Sequence, residues 1–314
     1  MNGEGGRLRW RDRKGWRMGM LMLGAFLAGL LVVAGAFLVP DRHPESPFSP
    51  PPPPPMKLGQ PAAPGSAPAP PPGSAPAALP ASGATSAPRE ERRLAVIVDD
   101  LGYDPSADAE SLKMPEKVTL AVIPFGPSSR RIAEAARSRG FTVLVHVPME
   151  PESPAPDRTE GFRLRRAMSP GEMDALLTRM IRDVPHAAGA SNHMGSAFTA
   201  DAQAMASYAA LLRTKGLYLV DSVTTPRSAA LDAARAAEVR AVRRDVFLDA
   251  DMSPGEMRAR WEKALGIARE KGTAVLVCHA RPDTLRFVAS VLPGLRAQGI
   301  RPVTMDELMA GRTE

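Results

Sequence analysis

Four apolar runs in this chain each stop on a polar or ionisable residue, and that pattern limits the fold more than any other feature. Leu94-Ala95-Val96-Ile97-Val98 runs into Asp99-Asp100, and Val143-Leu144-Val145 into His146. Leu217-Tyr218-Leu219-Val220 ends on Asp221, and Ala274-Val275-Leu276-Val277-Cys278 on His279. Short continuous runs of this kind read as strands buried on both faces, as in a parallel sheet. Parallel α/β sheets do their chemistry at the carboxyl ends of their strands. Four such endings therefore point to one site fed by several strands.

Strand-like runs recur near 94–98, 118–123, 141–147, 187–190, 216–220, 239–248, 273–278 and 300–303, with helical patterns between most of them. Helices are predicted over 128–139, 201–215, 228–238 and 283–298. Two more start at Ser169-Pro170-Gly171-Glu172 and Ser253-Pro254-Gly255-Glu256, each with a capping serine, a proline at the first helical position and a glutamate at the third. Seven or eight strand–helix units predict a small or irregular α/β barrel, an irregular seven- or eight-stranded (β/α) barrel. No Gly-x-Gly-x-x-Gly turn follows the first strand, which argues against a dinucleotide-binding sheet.

Composition separates this part, 91–314, from the first ninety residues. Met18 to Val39 is an uncharged apolar stretch of 22 residues, at about 1.5 Å per residue long enough to cross a bilayer core of roughly 30 Å. Residues 18–39 read as a transmembrane anchor, preceded by a basic tail, 1–17, that the positive-inside rule keeps in the cytoplasm. The expected location is the inner membrane, with the domain in the periplasm or outside the cell. Ala34-Gly35-Ala36 also has the form of a cleavage site, so secretion after signal cleavage is the alternative. Residues 40–90 hold 18 of the 33 prolines; such a stretch cannot bury a core and reads as an extended disordered linker. Of the net charge of +6, +4 falls in residues 1–90, and residues 91–314 show no basic stripe with interleaved aromatics. Nucleic-acid binding therefore has little support; the proline run reads as a passive spacer, with protein binding as its alternative, and protein partners are unassigned. Cys278 is the only cysteine, which excludes an internal disulfide.

The strand-end residues carry recognisable chemistry. Adjacent carboxylates such as Asp99-Asp100 serve when one holds a metal and the other takes a proton from water; they also occur in turns. His146 and His193, the latter in Ser191-Asn192-His193-Met194-Gly195, would with one carboxylate form a ligand set suited to zinc or another borderline divalent ion. His279 can act as a general acid or cap a helix. Asp221 can hydrogen-bond to a base or to a sugar hydroxyl, or form an Asx turn. Cys278, among apolar neighbours, reads as a core residue rather than a nucleophile.

Taken together, Val98-Asp99-Asp100-Leu101-Gly102, Ala121-Val122-Ile123-Pro124, His146-Val147-Pro148-Met149-Glu150, Asn192-His193-Met194-Gly195-Ser196, Leu219-Val220-Asp221-Ser222, Asp245-Val246-Phe247-Leu248-Asp249 and His279 before Arg281-Pro282-Asp283-Thr284 resemble the divergent polysaccharide deacetylase family, from about Leu94 to Leu308. The resemblance implies an irregular (β/α) barrel, a divalent metal, and removal of N- or O-acetyl groups from a carbohydrate substrate. By position it implies Asp99 as base, His279 as acid, and Asp100 and His146 as metal ligands. Glu150 stands where the wider family has a second histidine, and His193 completes the set Asp100, His146, His193. Asp221, Glu150 and Asn192 are supporting candidates. A different class of function on the same barrel is a non-catalytic glycan-binding or envelope-organising module. A glycosidase would pair Asp99 with Asp221 or Glu150 and leave the histidines surplus. With Trp261 the only tryptophan of the domain, a short oligosaccharide is favoured over a long chain.

Overall fold

The computed structural model describes residues 91–154 and 157–310. The basic tail, the apolar span and the Pro-rich stretch all lie outside the described residues. Among the described residues, no helix is long and apolar enough to cross a membrane.

Strands β1 (Arg92–Leu101), β2 (Thr119–Val122), β3 (Thr142–Met149), β4 (Ala187–Met194), β5 (Tyr218–Asp221), β6 (Ala241–Arg243), β7 (Val246–Phe247), β8 (Thr273–His279) and β9 (Ile300–Val303) form one sheet. Helices α1 (Pro105–Ser111), α2 (Ser129–Ser138), α3 (Pro170–Asp183), α4 (Ser196–Ala200), α5 (Ala202–Thr214), α6 (Ala230–Ala236), α7 (Pro254–Lys271), α8 (Pro282–Val291) and α9 (Met305–Ala310) connect or follow the strands. Every pairing is parallel, in the order β6-β5-β4-β3-β2-β1-β8-β7. The long β1 gives one edge to β8 from Arg93 to Asp99. Its other edge is shared, with β9 along Arg92–Ala95 and β2 from Ile97 onward.

The sheet curls. β6 and β7 are its two ends, yet only Arg244 and Asp245 separate them in sequence. Three Cα steps span at most roughly 11 Å, so the ends must come round toward each other without completing a hydrogen-bonded ring. The expected run over 239–248 is thus two short strands on opposite ends of the sheet. The count becomes nine strands where seven or eight were expected.

Strand alternation sorts the core. Ala95, Ile97, Ala121, Leu144, Val220, Val242, Val275 and Val277 point inward, where Met305, Leu308 and Met309 of α9 pack with them. Their sequence neighbours Leu94, Val96, Val98, Leu120, Val143, Val145 and Leu276 join the layer beneath the helices. Each fully buried aliphatic side chain contributes about 1.5–3 kcal/mol. The inward positions one step beyond Ile97, Leu144 and Val277 are Asp99, His146 and His279.

Two helix starts of identical sequence pattern behave differently. Ser169 makes the full capping box with Glu172. Ser253 makes no side-chain cap bond; its own N–H is taken by Asp251 Oδ1 at 2.8 Å. Ser169→Ala is expected to cost about 1 kcal/mol, whereas Ser253→Ala stays within about 0.5 kcal/mol. Urea midpoints of the two variants check this. The helix expected over 283–298 stops at Val291 and continues as 3₁₀ turns, because Pro293 cannot extend it.

Candidate active site

In a regular strand Asp99 and Asp100 would face opposite sides of the sheet. They do not, because β1 breaks register against β2 between Val98 and Leu101 and Asp100 takes a left-handed backbone, φ 68°. Aspartate tolerates that conformation better than most side chains, and a bulge re-aims the strand end. Both carboxylates consequently approach His146 Nε2, Asp100 Oδ1 at 3.3 Å and Asp99 Oδ2 at 3.7 Å. Gly102, at φ 104°, completes the turn where a Cβ would lie 2.6 Å from Ser129 Oγ and 2.9 Å from Ile123 O.

The two histidines come from neighbouring strands. His146 pairs in register with Ser191, and its Nδ1 shares a 2.8 Å hydrogen bond with Ser191 Oγ, which turns Nε2 toward Asp100. His193 Nδ1 lies 2.9 Å from Asp100 Oδ1, and its Nε2 lies 3.3 Å from Asp157 Oδ2. Asp157 is itself fixed by Thr159 and Arg163. One ligand atom from each of Asp100, His146 and His193 falls within 4.8 Å of the others. β4 runs on to Met194, beyond the expected 187–190, because Ser191 and His193 find polar partners inside the barrel mouth.

Across the site, His279 pairs in register with Asp99 and places Nε2 3.7 Å from Asp100 Oδ2. Its Nδ1 lies 3.2 Å from Asp249 Oδ1, and its backbone N–H donates to the same carboxylate. Thr284 Oγ1 donates to Asp249 Oδ2 at 3.0 Å.

Electrostatics separates the adjacent aspartates. Burial, with the negative charges of Asp100 and Asp249, holds the Asp99 carboxyl well above the usual range, against the pull of Arg244. Its Oδ1 is buried with no hydrogen-bond partner. Burial also acts on Asp100, but hydrogen bonds and charge from His146 and His193 hold it well below the usual range. Burial pulls His146 down to about 4, against Asp100. For His193 the contacts with Asp100 and Asp157 outweigh burial, and its pKa rises. Burial raises Asp157, yet its bonds to Thr159, Arg163 and His193 bring it down to about 2. Asp249 is likewise lowered against burial by His279 and Thr284.

The supporting candidates sit outside this cluster. Asp221 is buried and makes an Asx turn, accepting from Val223 N–H at 2.9 Å. Glu150 pairs with Arg166 at 2.8 Å, and Asn192 bridges Ser222 N–H and Met194 O. Cys278 is buried, with its thiol pushed up by desolvation. Ser191 and Asp249 lie in segments quoted from the sequence without a role assigned to them, and Asp157 and Arg244 lie in none. Asp249 ends the apolar run Val246-Phe247-Leu248, the same signal that marks the other strand ends, whereas Asp157 lies in a loop with no periodicity.

A family model described as divergent polysaccharide deacetylase matches residues 96–309. The uncharacterized protein YibQ of Escherichia coli (strain K12) is 34% identical over 212 residues, covering 68% of this chain and 66% of that protein, just under two thirds of its length. An uncharacterized protein of Haemophilus influenzae is 34% identical over 224 residues, covering 71% of this chain and 79% of that one. The crystal structure of an uncharacterized protein from Agrobacterium tumefaciens C58 superposes with a TM-score of 0.67 at 22% identity, over 70% of this chain and 89% of that chain; this is a likeness of fold. The length of the family match, with the Haemophilus influenzae relative beside it, leads to one conclusion: the chain belongs to the divergent polysaccharide deacetylase family.

Proposed function

We propose that the protein is a metal-dependent hydrolase that removes acetyl groups from a cell-envelope glycan or oligosaccharide. The observation that carries this reading is the convergence of Asp100, His146 and His193, within 4.8 Å of one another, beside Asp99 and His279. The donor set fits a divalent ion, zinc foremost: two imidazoles and a carboxylate, with His146 Nδ1 tied to Ser191 so that Nε2 is left for a ligand role. When bound there, an ion of this kind would supply Lewis-acid chemistry, favouring charge on the acetyl oxygen.

The chain's own groups move the protons. Asp99, its proton affinity raised by burial, receives a proton from the attacking water. His279, oriented by Asp249, returns one to the departing amine or hydroxyl. Asp100, kept ionised by the two imidazoles, would hold the ion instead of competing for that proton. Asp157 orients the His193 ring from outside the ligand set. Asp157→Asn is therefore expected to weaken zinc affinity by about 10–100-fold, as read by competition with a chromogenic chelator.

We further propose that residues 18–39 anchor the protein in the inner membrane with this domain on the outer side. Protease accessibility of residues 91–314 in intact spheroplasts tests the orientation. The function itself is tested by acetate release from N-acetylated and O-acetylated oligosaccharides, with and without a chelator. Chelator-sensitive release is the expected result. Zinc-loaded protein that binds the oligosaccharides and releases no acetate would overturn the hydrolase and favour the glycan-binding module.

A further inference from the structure

A cleft of about 390 Å³ lies between the β6–β7 connection and the first turns of α7, lined by Arg244, Asp245, Val246, Phe247, Glu256, Ala259, Arg260 and Lys263. Its volume is that of a small-molecule site, about 300–1,000 Å³. It adjoins the candidate active site through Phe247, whose ring lies 4.9 Å from that of His279 at 65°.

The charges in the cleft do not balance internally. Asp245 is committed elsewhere: Oδ2 accepts from Val275 N–H at 2.9 Å and Oδ1 faces Lys271 at 4.0 Å. Glu256 is 3.8 Å from Arg260 Nε and half exposed, a weak pair. Arg260 donates through Nη1 to Phe247 O at 3.2 Å, but its Nε is buried with no hydrogen-bond partner. Lys263, three residues on along the same helix face, has no ion pair among the described residues.

Arg244 is built into place. Its guanidinium stacks 4.8 Å over the Phe247 ring and donates to Ser222 O at 2.6 Å and Val223 O at 2.8 Å. Val223 adopts φ 51°, a strained conformation for a β-branched residue, as it presents that carbonyl. Burial lowers the Arg244 pKa; Asp221 and Asp99 support its charge, and Arg260 opposes it.

We propose that this cleft binds an oxyanion, a carboxylate or phosphate group, carried on the glycan whose acetyl group lies at the neighbouring histidines. Such a group would supply the acceptor that Arg260 Nε lacks and a counter-charge to Arg260, Lys263 and the already anchored Arg244, with the planar Arg260 guanidinium as the donor edge for an oxyanion. The inference rests on the carbohydrate reading above and adds a requirement for negative charge near the reacting sugar.

The test uses metal-free, full-length protein, so that binding is measured apart from turnover. Calorimetric titrations compare an N-acetylated chito-oligosaccharide, the same oligosaccharide with its C6 positions oxidised to carboxylates, and inorganic phosphate. The oxidised form is expected to bind about tenfold more tightly than the neutral one, and the preference should shrink as salt is raised. Arg260→Gln and Lys263→Glu should each reduce it; Lys263 is exposed, so its variant folds even where Arg260→Gln does not. Equal binding of the two oligosaccharides, or a preference that survives Lys263→Glu, would overturn the proposal. Phosphate binding as tightly as the oxidised oligosaccharide would leave a free-anion site and overturn the glycan assignment. Chelator-sensitive acetate release with no charge preference would sink this inference alone, while charge preference without acetate release would sink only the hydrolase.

Discussion

Replacing His146 with alanine is expected to abolish stoichiometric metal binding. Full-length protein incubated with zinc and desalted should carry about one equivalent by elemental analysis, and the His146→Ala and His193→Ala variants should carry almost none. The size of the effect follows from position: outer partners of a ligand are worth about 10–100-fold in affinity, so losing a ligand should exceed about 100-fold. His146 is 2% exposed, with its Nδ1 spent on Ser191. Its removal therefore leaves a cavity and an unpaired hydroxyl as well as a missing donor. His193 lies nearer the surface, and its variant separates metal loss from that packing defect. Zinc should raise the parent's Tm by mass action and leave both variants unmoved. A parent that takes up no metal after incubation with zinc would overturn the hydrolase mechanism.

The geometry behind that expectation was only partly legible in the sequence. Runs that end in Asp99, His146 and His279 announce strands whose last inward residue is ionisable, because alternation along a buried strand is strict. What periodicity cannot disclose is that Asp100, one residue out of phase, also reaches His146; that depends on a bulge and a left-handed backbone at Asp100. Nor could spacing place Asp157 on His193, since a loop contact between residues 36 apart has no local signature. Arg244 escaped for a related reason. It occupies the turn joining the two ends of the sheet, inside a run that reads as one continuous strand. Ser169 and Ser253 make the same point at a helix start: equal sequence signals give a capping box in one case and an Asp251-capped loop in the other.

Asp99→Asn is expected to lower turnover by about 10²–10⁴-fold, the usual worth of a general base, while zinc content stays near that of the parent. The same substitution should raise the Tm of the metal-free protein at neutral pH. The sign follows from linkage. Asp99 has a folded-state pKa well above its unfolded value of about 3.9, so the native state holds this proton to higher pH than the unfolded chain does. The contribution to stability is then fully present below about pH 3.9 and is lost as pH rises through the folded pKa. An asparagine never ionises and escapes that loss. Its gain over the parent should grow as pH rises from about 3.9 toward the folded pKa, level off above that and vanish in acid. A residue that merely supports the fold would show the opposite, lower turnover together with lower stability. A rise in metal-free Tm with turnover gone and zinc retained would identify Asp99 as a buried carboxylate kept at a cost to the fold for the proton it accepts. Full turnover in Asp99→Asn would remove it from the reaction, and loss of zinc in the same variant would move it into the ligand set with Asp100.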